Sequence, residues 1–339
     1  MQKAIHLAYQ ARGFTKSNPL VGCVIVDQDN KLLSWGHHPY FGGPHAEVVA
    51  LNSLTEKKEK SLKNATLYCT LEPCLSWEGK KTPSCLEKLL QTPISRIVLA
   101  NRDPHAQVSG KATTRLEANG KKVEIGVLSK EAAWMNRSYI KWVTTGIPYI
   151  RLKFAQSLEG NLHPLPYQRM QLSCPQSQIL VHHLRANSDA ILIGGNTARI
   201  DQPKLNVRLN FYRKSPYFTQ PKKIILSKSD FLNLDRTSLT QWLLGLGQQG
   251  ISSILVEAGP FWQQQFLNKN LFDEVLIFVS PKFIGPGKGI ILENPLDFVQ
   301  EEGNFSAFDH HTWKKSGQDI VFQGISLKGN PCLQELLKT

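Results

Sequence analysis

Residues 66–74 read Thr66-Leu67-Tyr68-Cys69-Thr70-Leu71-Glu72-Pro73-Cys74, a β-prone apolar run that stops at a proline and delivers a cysteine. The run reads as a short buried strand over 66–70, with Cys74 presented just beyond its end. Working backward, His45-Ala46-Glu47 opens an apolar periodic stretch that predicts a helix over 46–54. Working forward, Cys85 heads a helix over 85–90 and is followed by a strand at 94–100. Ala4, Leu7, Ala8 and Ala11 sit at helical spacing within 3–12, ahead of strands at 21–26 and 32–36. A helix at 113–118, a strand at 122–127 and a helix at 130–143 continue the alternation, which predicts a layered α/β domain.

Thr144-Thr145-Gly146-Ile147-Pro148 combines a helix-stopping glycine with a proline and is the linker expected between two domains. Beyond it the alternation restarts. Strands are expected at 150–155, 190–193, 223–226, 252–257 and 274–279, with helices at 176–185, 239–246 and 261–267, a second α/β domain. The stretch from Leu327 reads as a loosely held tail. Gly245-Leu246-Gly247-Gln248-Gln249-Gly250 matches a dinucleotide fingerprint by letter, but it follows a helix and leads into a strand. That order is the reverse of the one that brings backbone N–H groups to a pyrophosphate, so it reads as a helix end and turn.

A chain of 339 residues has room for two cores. Its 41% hydrophobic and 20% charged residues are the balance of a soluble globular protein, and no run reaches the roughly 20 apolar residues of a membrane helix. The N-terminus enters an amphipathic pattern directly, without the apolar stretch of a signal peptide, so a cytoplasmic location and no membrane partner are expected. Six cysteines are too few for a disulfide scaffold of this length, which leaves metal ligation as the better use for Cys74 and Cys85. A net charge of +13 points to an anionic partner without naming it. The run Lys57-Lys58-Glu59-Lys60 reads as a solvated helix end or loop.

His45, Cys74 and Cys85 supply one imidazole and two thiolates, the count that leaves a catalytic zinc its fourth position for water. Glu47 lies on the same first helical turn as His45, within reach of the proton traffic that hydrolytic deamination requires. His-x-Glu followed by Pro-Cys and a further Cys is the pattern of zinc deaminases of nucleobases, here with ten residues between the cysteines where the usual pattern has two. Cys69 is the candidate fourth ligand of a closed structural site, but the pleat turns it away from the loop that carries Cys74, and Cys23 and Cys69 are assigned to packing.

Taken together, Asn18-Pro19-Leu20-Val21-Gly22, His45-Ala46-Glu47, Thr70-Leu71-Glu72-Pro73-Cys74, Thr82-Pro83-Ser84-Cys85 and Gly110-Lys111 closely resemble the deaminase half of the bifunctional riboflavin-biosynthesis deaminase/reductase family. The second half resembles the reductase partner through several stretches. These are Ser157-Leu158-Glu159-Gly160, His183-Leu184-Arg185-Ala186, Ile193-Gly194-Gly195-Asn196-Thr197, Asp201-Gln202-Pro203, Val207-Arg208 and Val256-Glu257-Ala258-Gly259-Pro260. The resemblance implies a cytidine-deaminase-like three-layer domain over 1–145 and a dihydrofolate-reductase-like α/β domain over 149–339. It also implies zinc-dependent deamination of a phosphorylated diaminopyrimidine ribosylamine, then NADPH reduction of the ribosyl chain to ribityl. Asn18 and Lys111 match substrate positions of the deaminase; Arg185, Leu205, Arg208 and Glu257 match those of the reductase. Ala155, Thr197, Asp201, Ser227, Gly259 and Pro260 match cofactor positions.

Three departures stand beside these matches. The loop Leu75-Ser76-Trp77-Glu78-Gly79-Lys80-Lys81 is longer than the family's and lacks its histidines, Arg169 and Gln171 fall where a Ser-x-Trp is usual, and Glu159 replaces an aspartate. The alternatives at this point are a working deaminase joined to an impaired reductase, a tRNA deaminase, and a basic RNA-binding protein with structural zinc. No aromatic-basic binding motif favours nucleic acid. The oligomeric state stays open, a homo-oligomer among the options.

Overall fold

A computed structural model of the chain describes residues 1–75, 84–105, 108–231, 233–290 and 308–338. The chain divides into two compact units, Met1–Thr144 joined by the C-terminal residues from Glu335, and Thr145–Gln334.

The first unit runs α1 (Gln2–Tyr9), β1 (Gly22–Val26), β2 (Leu32–His37), α2 (Ala46–Asn52), α3 (Glu56–Glu59), β3 (Thr66–Leu71), α4 (Cys85–Leu90), β4 (Arg96–Asn101), α5 (Lys111–Ala118), β5 (Lys122–Ile125), α6 (Ser129–Met135) and α7 (Arg137–Thr145). Its five strands lie in the order β2-β1-β3-β4-β5, with β1 antiparallel to both neighbours and β3, β4 and β5 parallel. Fully buried Ile25, Leu67, Ile97 and Leu99 form the centre of the sheet, and Leu86, Leu89 and Leu116 close it from the helices. Two glycines set how closely helices approach this sheet. A Cβ on Gly22 would lie 1.9 Å from the Ala4 carbonyl oxygen of α1, and one on Gly36 would lie 2.6 Å from the Ala50 nitrogen of α2. The α3 segment, which holds most of the basic run, buries none of its residues.

The single helix expected over 130–143 is instead two, α6 and α7, broken at Asn136. That side chain accepts the Leu20 N–H at 2.8 Å and donates to the Leu20 carbonyl at 2.9 Å. A partner 116 residues away in sequence therefore interrupts the helix and pins the Asn18-to-Gly22 segment.

The second unit runs β6 (Tyr149–Gln156), β7 (His163–Pro164), α8 (Pro175–Ala186), β8 (Ala190–Gly194), α9 (Gly195–Asp201), α10 (Asn210–Arg213), β9 (Lys222–Leu226), α11 (Arg236–Gln248), β10 (Ser253–Val256), α12 (Pro260–Asn268), β11 (Glu274–Val279), β12 (Gly287–Lys288), β13 (His310–Ser316) and β14 (Asp319–Ile325). The seven-stranded sheet has the order β13-β14-β11-β6-β10-β8-β9, parallel from β11 through β9, with an antiparallel hairpin at one edge. β10 is buried along its whole length, as a central parallel strand covered on both faces must be. Two aspartates lace the strand starts together. Asp189 Oδ2 accepts the N–H groups of Ser252 at 2.9 Å and Ser253 at 3.1 Å, and Asp273 accepts that of Ile150 at 2.7 Å. Register fixed at that end brings the carboxyl ends of β6, β8, β9 and β10 level, which is where a ligand crevice forms in open α/β sheets.

The letter match at 245–250 falls on the end of α11 and the turn into β10, with Gly250 at φ +81°. The stretch read as a loose tail carries α13 (Pro331–Lys338), capped by Asn330, whose side chain accepts the Leu333 N–H at 3.2 Å. Leu333 is buried. Among the described residues no helix is long and apolar enough to cross a membrane.

Candidate active sites

At the end of β3 the chain turns through Pro73 and presents Cys74, while Ser84 caps α4 and donates its hydroxyl to the Cys74 carbonyl at 3.0 Å. Cys85 is thereby the first residue of α4, and its N–H points at Cys74 Sγ, 3.4 Å away. His45 caps α2 in extended conformation, and its Nδ1 lies 3.3 Å from each of the two sulfurs. All three donor atoms fall within 4.8 Å of one another. A zinc tetrahedron with bonds of about 2.0–2.3 Å has edges of about 3.5–3.8 Å, so this donor set fits the ion with small adjustment. Cys69 stands opposite Cys23 across β1 and β3, both fully buried in the core, and among the described residues the donor cluster has three members.

Glu47 projects from the first turn of α2 and is 3% exposed. Burial pushes its carboxyl up to about 7, with the Cys74 sulfur adding to the rise. A carboxyl balanced near neutrality both takes and returns a proton.

Sequence reasoning missed His38. Its ring is buried, edge-on to His45 at 5.5 Å between centroids, with Nδ1 3.0 Å from the Pro44 carbonyl and Nε2 3.0 Å from the Asn18 amide nitrogen. Burial lowers its pKa and keeps the ring neutral. A neutral ring that donates Nδ1–H to a carbonyl must accept at Nε2, which assigns the Asn18 NH₂ to His38 and points the amide's acceptor oxygen the other way. Its place just after a strand, seven residues before His45, was the signal available. Lys111 is the first residue of α5. Glu72 accepts the N–H groups of Gly110 at 2.9 Å and Thr113 at 3.1 Å, tying that helix start to the strand end beside Cys74. Of the loop from Leu75 to Lys81, all but Leu75 lies outside the described residues.

In the second unit a cavity of about 920 Å³ opens at the carboxyl ends of β6, β8, β9 and β10. Ala155, Thr197, Asp201, Ser227, Glu257, Gly259 and Pro260 all line it. Arg185 reaches it through Glu257, in a two-pronged ion pair of 2.6 and 2.8 Å. Burial alone would raise the Glu257 carboxyl, but the guanidinium outweighs it and holds the pKa below the ordinary value. Leu205 and Arg208 do not line the cavity. Leu205 is buried with Ile191 and Ile193 at φ +51°, and Arg208 lies against His182, its Nε 3.3 Å from the ring. Lys153 lines the cavity and was also missed; burial lowers its pKa and Glu257 opposes the shift. A lone lysine in the apolar strand 150–155 was its signal. Arg169, Arg199 and Lys228 add cations to the wall, and the N-terminus of α12 opens onto it at Gly259-Pro260, features that fit a phosphorylated dinucleotide.

The three departures have local roles where they are described. Glu159 accepts the N–H groups of Ile284 at 2.5 Å and Gly285 at 3.0 Å, holding that turn. Gln171 ties to Ser173 and Lys282, while Arg169 faces the cavity. Tyr167 donates its hydroxyl to Asp201 at 2.5 Å.

A family model for the cytidine and deoxycytidylate deaminase zinc-binding region matches residues 1–101, and one for the RibD C-terminal domain matches residues 148–322. The riboflavin biosynthesis protein RibD of Escherichia coli is 34% identical over 84% of this chain and 88% of its own length. That of Aquifex aeolicus is 33% identical over 86% and 88%. The chain belongs to the RibD family. A structure of RibD from Acinetobacter baumannii is similar with a TM-score of 0.82 at 32% identity, covering 96% of this chain and 97% of that one. A deaminase/reductase structure from Thermotoga maritima has a TM-score of 0.79 at 28% identity, with the same coverage. As a RibD-family protein the chain is a bifunctional deaminase and reductase of riboflavin biosynthesis, a cytidine-deaminase-like domain followed by a RibD reductase domain. Zinc and NADPH are the cofactors that fit its two halves.

Proposed function

We propose that residues 1–145 hydrolytically deaminate diaminohydroxyphosphoribosylaminopyrimidine and that residues 149–339 reduce the ribosyl chain of the product to ribityl with NADPH. The observation that carries the first half is the convergence of His45 Nδ1, Cys74 Sγ and Cys85 Sγ beside the buried Glu47 carboxyl. Zinc held by those three supplies Lewis acidity that makes a hydroxide nucleophile available near neutral pH. Glu47 takes the proton from the attacking water and returns it to the departing amine, so that water and an aminated ring become a carbonyl and ammonia. Asn18, oriented by His38, accepts from the pyrimidine, and Lys111 faces the phosphorylated end.

In the second half Ala155, Thr197, Asp201, Ser227, Gly259 and Pro260 bind the cofactor, a reading supported by their shared cavity. Arg185, Leu205, Arg208 and Glu257 act on the substrate side, Leu205 by shaping the backbone ahead of Arg208. Lys153, beside Glu257, gives the proton that accompanies hydride transfer. A cytoplasmic setting suits this assignment, because two of the cysteines serve as zinc thiolates in a reducing compartment.

The test is the mass of the product after zinc-loaded protein acts on the substrate with NADPH. Loss of the amino group with gain of a hydride and a proton supports both halves. Deamination alone makes the second domain an impaired reductase, and unchanged substrate refutes the proposal.

A further inference from the structure

We propose that Tyr167 is the stacking surface for an aromatic ring of the bound dinucleotide and that Asp201 holds it in place; this rests on the reductase reading above. Besides His163, four aromatic side chains line the cavity of about 920 Å³, and three of them are already covered. Phe154 and Trp262 are buried, and Lys228 stands over the Phe261 ring with its Nζ 3.8 Å from the centroid. Tyr167 is 44% exposed. A planar ring left facing water in a concave site gains when a second π-system covers it, and a nucleotide base or a nicotinamide offers that face.

The ring is fixed before any ligand arrives. Its hydroxyl donates to Asp201 Oδ1 at 2.5 Å, and His163 packs against it with 5.1 Å between centroids and 67° between planes. Burial, and then the Asp201 bond, push the hydroxyl up to about 12, so it remains a donor at neutral pH. Just ahead of it the chain is tied down, the Leu162 N–H donating to the Lys288 carbonyl at 2.9 Å and the Leu165 N–H to that of Pro286 at 2.7 Å. Asp201 ends α9, so its bond to Tyr167 joins two separate walls of the cavity. A ring held this way has little freedom left to lose on binding, which is what lets a single stacking contact add affinity. Position 171, where a tryptophan is usual, holds Gln171, which does not line the cavity; its amide donates to the Ser173 carbonyl at 3.3 Å. Arg169, Arg199 and Lys228 answer to the phosphates of a dinucleotide, and Tyr167 to a ring that those cations leave unheld. With Oδ1 engaged, Asp201 acts on the cofactor by positioning that ring.

The test is equilibrium binding of NADPH to the full-length protein, read by nicotinamide fluorescence with no pyrimidine present. Tyr167→Leu raises the Kd by about 5- to 150-fold, the range for one stacked base. Tyr167→Phe keeps the ring but gives up the Asp201 bond, and raises the Kd by less. Asp201→Ala combined with Tyr167→Leu costs less than the two single losses together, because Asp201 acts through the ring. Tyr167 is exposed, so these variants fold, which circular dichroism checks. Adenosine 2′,5′-bisphosphate, which lacks the nicotinamide, tells the two rings apart. If its binding falls in parallel, the stacked ring is the adenine; if only NADPH is weakened, it is the nicotinamide, and either result supports the proposal. A Tyr167→Leu protein that binds NADPH within about twofold of wild type overturns it, as does a phenylalanine variant as weak as the leucine one. Fully additive losses give Asp201 a contact of its own and overturn its positioning role. A wild type that does not bind NADPH at all overturns the reductase reading and this inference with it.

Discussion

Replacing Arg185 by methionine isolates what the ion pair behind the reductase cavity contributes. Arg185 grips both oxygens of Glu257 at 2.6 and 2.8 Å, with side chains only 14% and 10% exposed. Removing the cation strands a carboxylate that water reaches poorly, a change that costs about 3–5 kcal/mol in buried pairs. Lys153 nearby offsets part of that, so the lower end applies. For a unit of this size each kcal/mol moves the melting point by about 2–4 °C, giving a fall of about 6–12 °C. The assay is calorimetry on the full chain, with the reductase transition identified by its upward shift with NADPH. The sign with pH follows from Glu257. In the wild type the guanidinium depresses its pKa, so its contribution is present above the ordinary carboxylate range and is lost as pH falls below that range through the depressed value. Without Arg185, burial raises the pKa, the penalty is largest at neutral pH, and protonation in acid relieves it. The gap between the two proteins therefore narrows as pH falls. The Arg185→Met/Glu257→Leu double variant regains most of the stability that the single variant gives up. A single variant that melts within about 1 °C of wild type at pH 7, or a gap that widens in acid, refutes the reasoning.

Glu47→Gln lowers the deamination rate by about 10²–10⁴-fold while zinc content and NADPH consumption on the deaminated intermediate are unchanged, as measured by metal analysis and separate assays of each step. Chelation of zinc abolishes deamination and spares the NADPH-dependent step on the same intermediate. His182 is held down to about 4 by burial, then by Arg185 and Arg208, so the unfolded chain protonates it near 6.5 while the folded one does not. Its contribution is complete above that range and is lost as pH falls toward 4, and urea unfolding of His182→Gln between those limits shows a flatter pH dependence.

The parts of this protein that were legible in sequence are those decided locally. Apolar runs such as 21–26, 66–70 and 94–100 become β1, β3 and β4 because a short β-branched run has few other ways to bury itself. The clustering of His45, Cys74 and Cys85 was legible for a similar reason, since metal chemistry restricts both residue type and spacing. What stayed hidden is held by distant partners. Asn136 breaks a helix by clasping Leu20, and His38 is explained only by the Pro44 carbonyl and the Asn18 amide that meet at its ring. Lys153 acquires meaning from Glu257, which follows the neighbouring parallel strand β10. The edge strand β13 escaped notice because, exposed along nearly all its length, it carries no alternation to read. The tail was misjudged because a helix of eight residues with one fully buried leucine leaves a faint pattern.

The most direct test of the central claim is X-ray absorption at the zinc edge of the metal-loaded protein. Two sulfur neighbours at about 2.3 Å and two nitrogen or oxygen neighbours at about 2.0–2.1 Å are expected, with one sulfur fewer in Cys85→Ser. A third sulfur in the shell, or a shell without sulfur, contradicts the assignment of His45, Cys74 and Cys85 as the ligands of an open catalytic zinc.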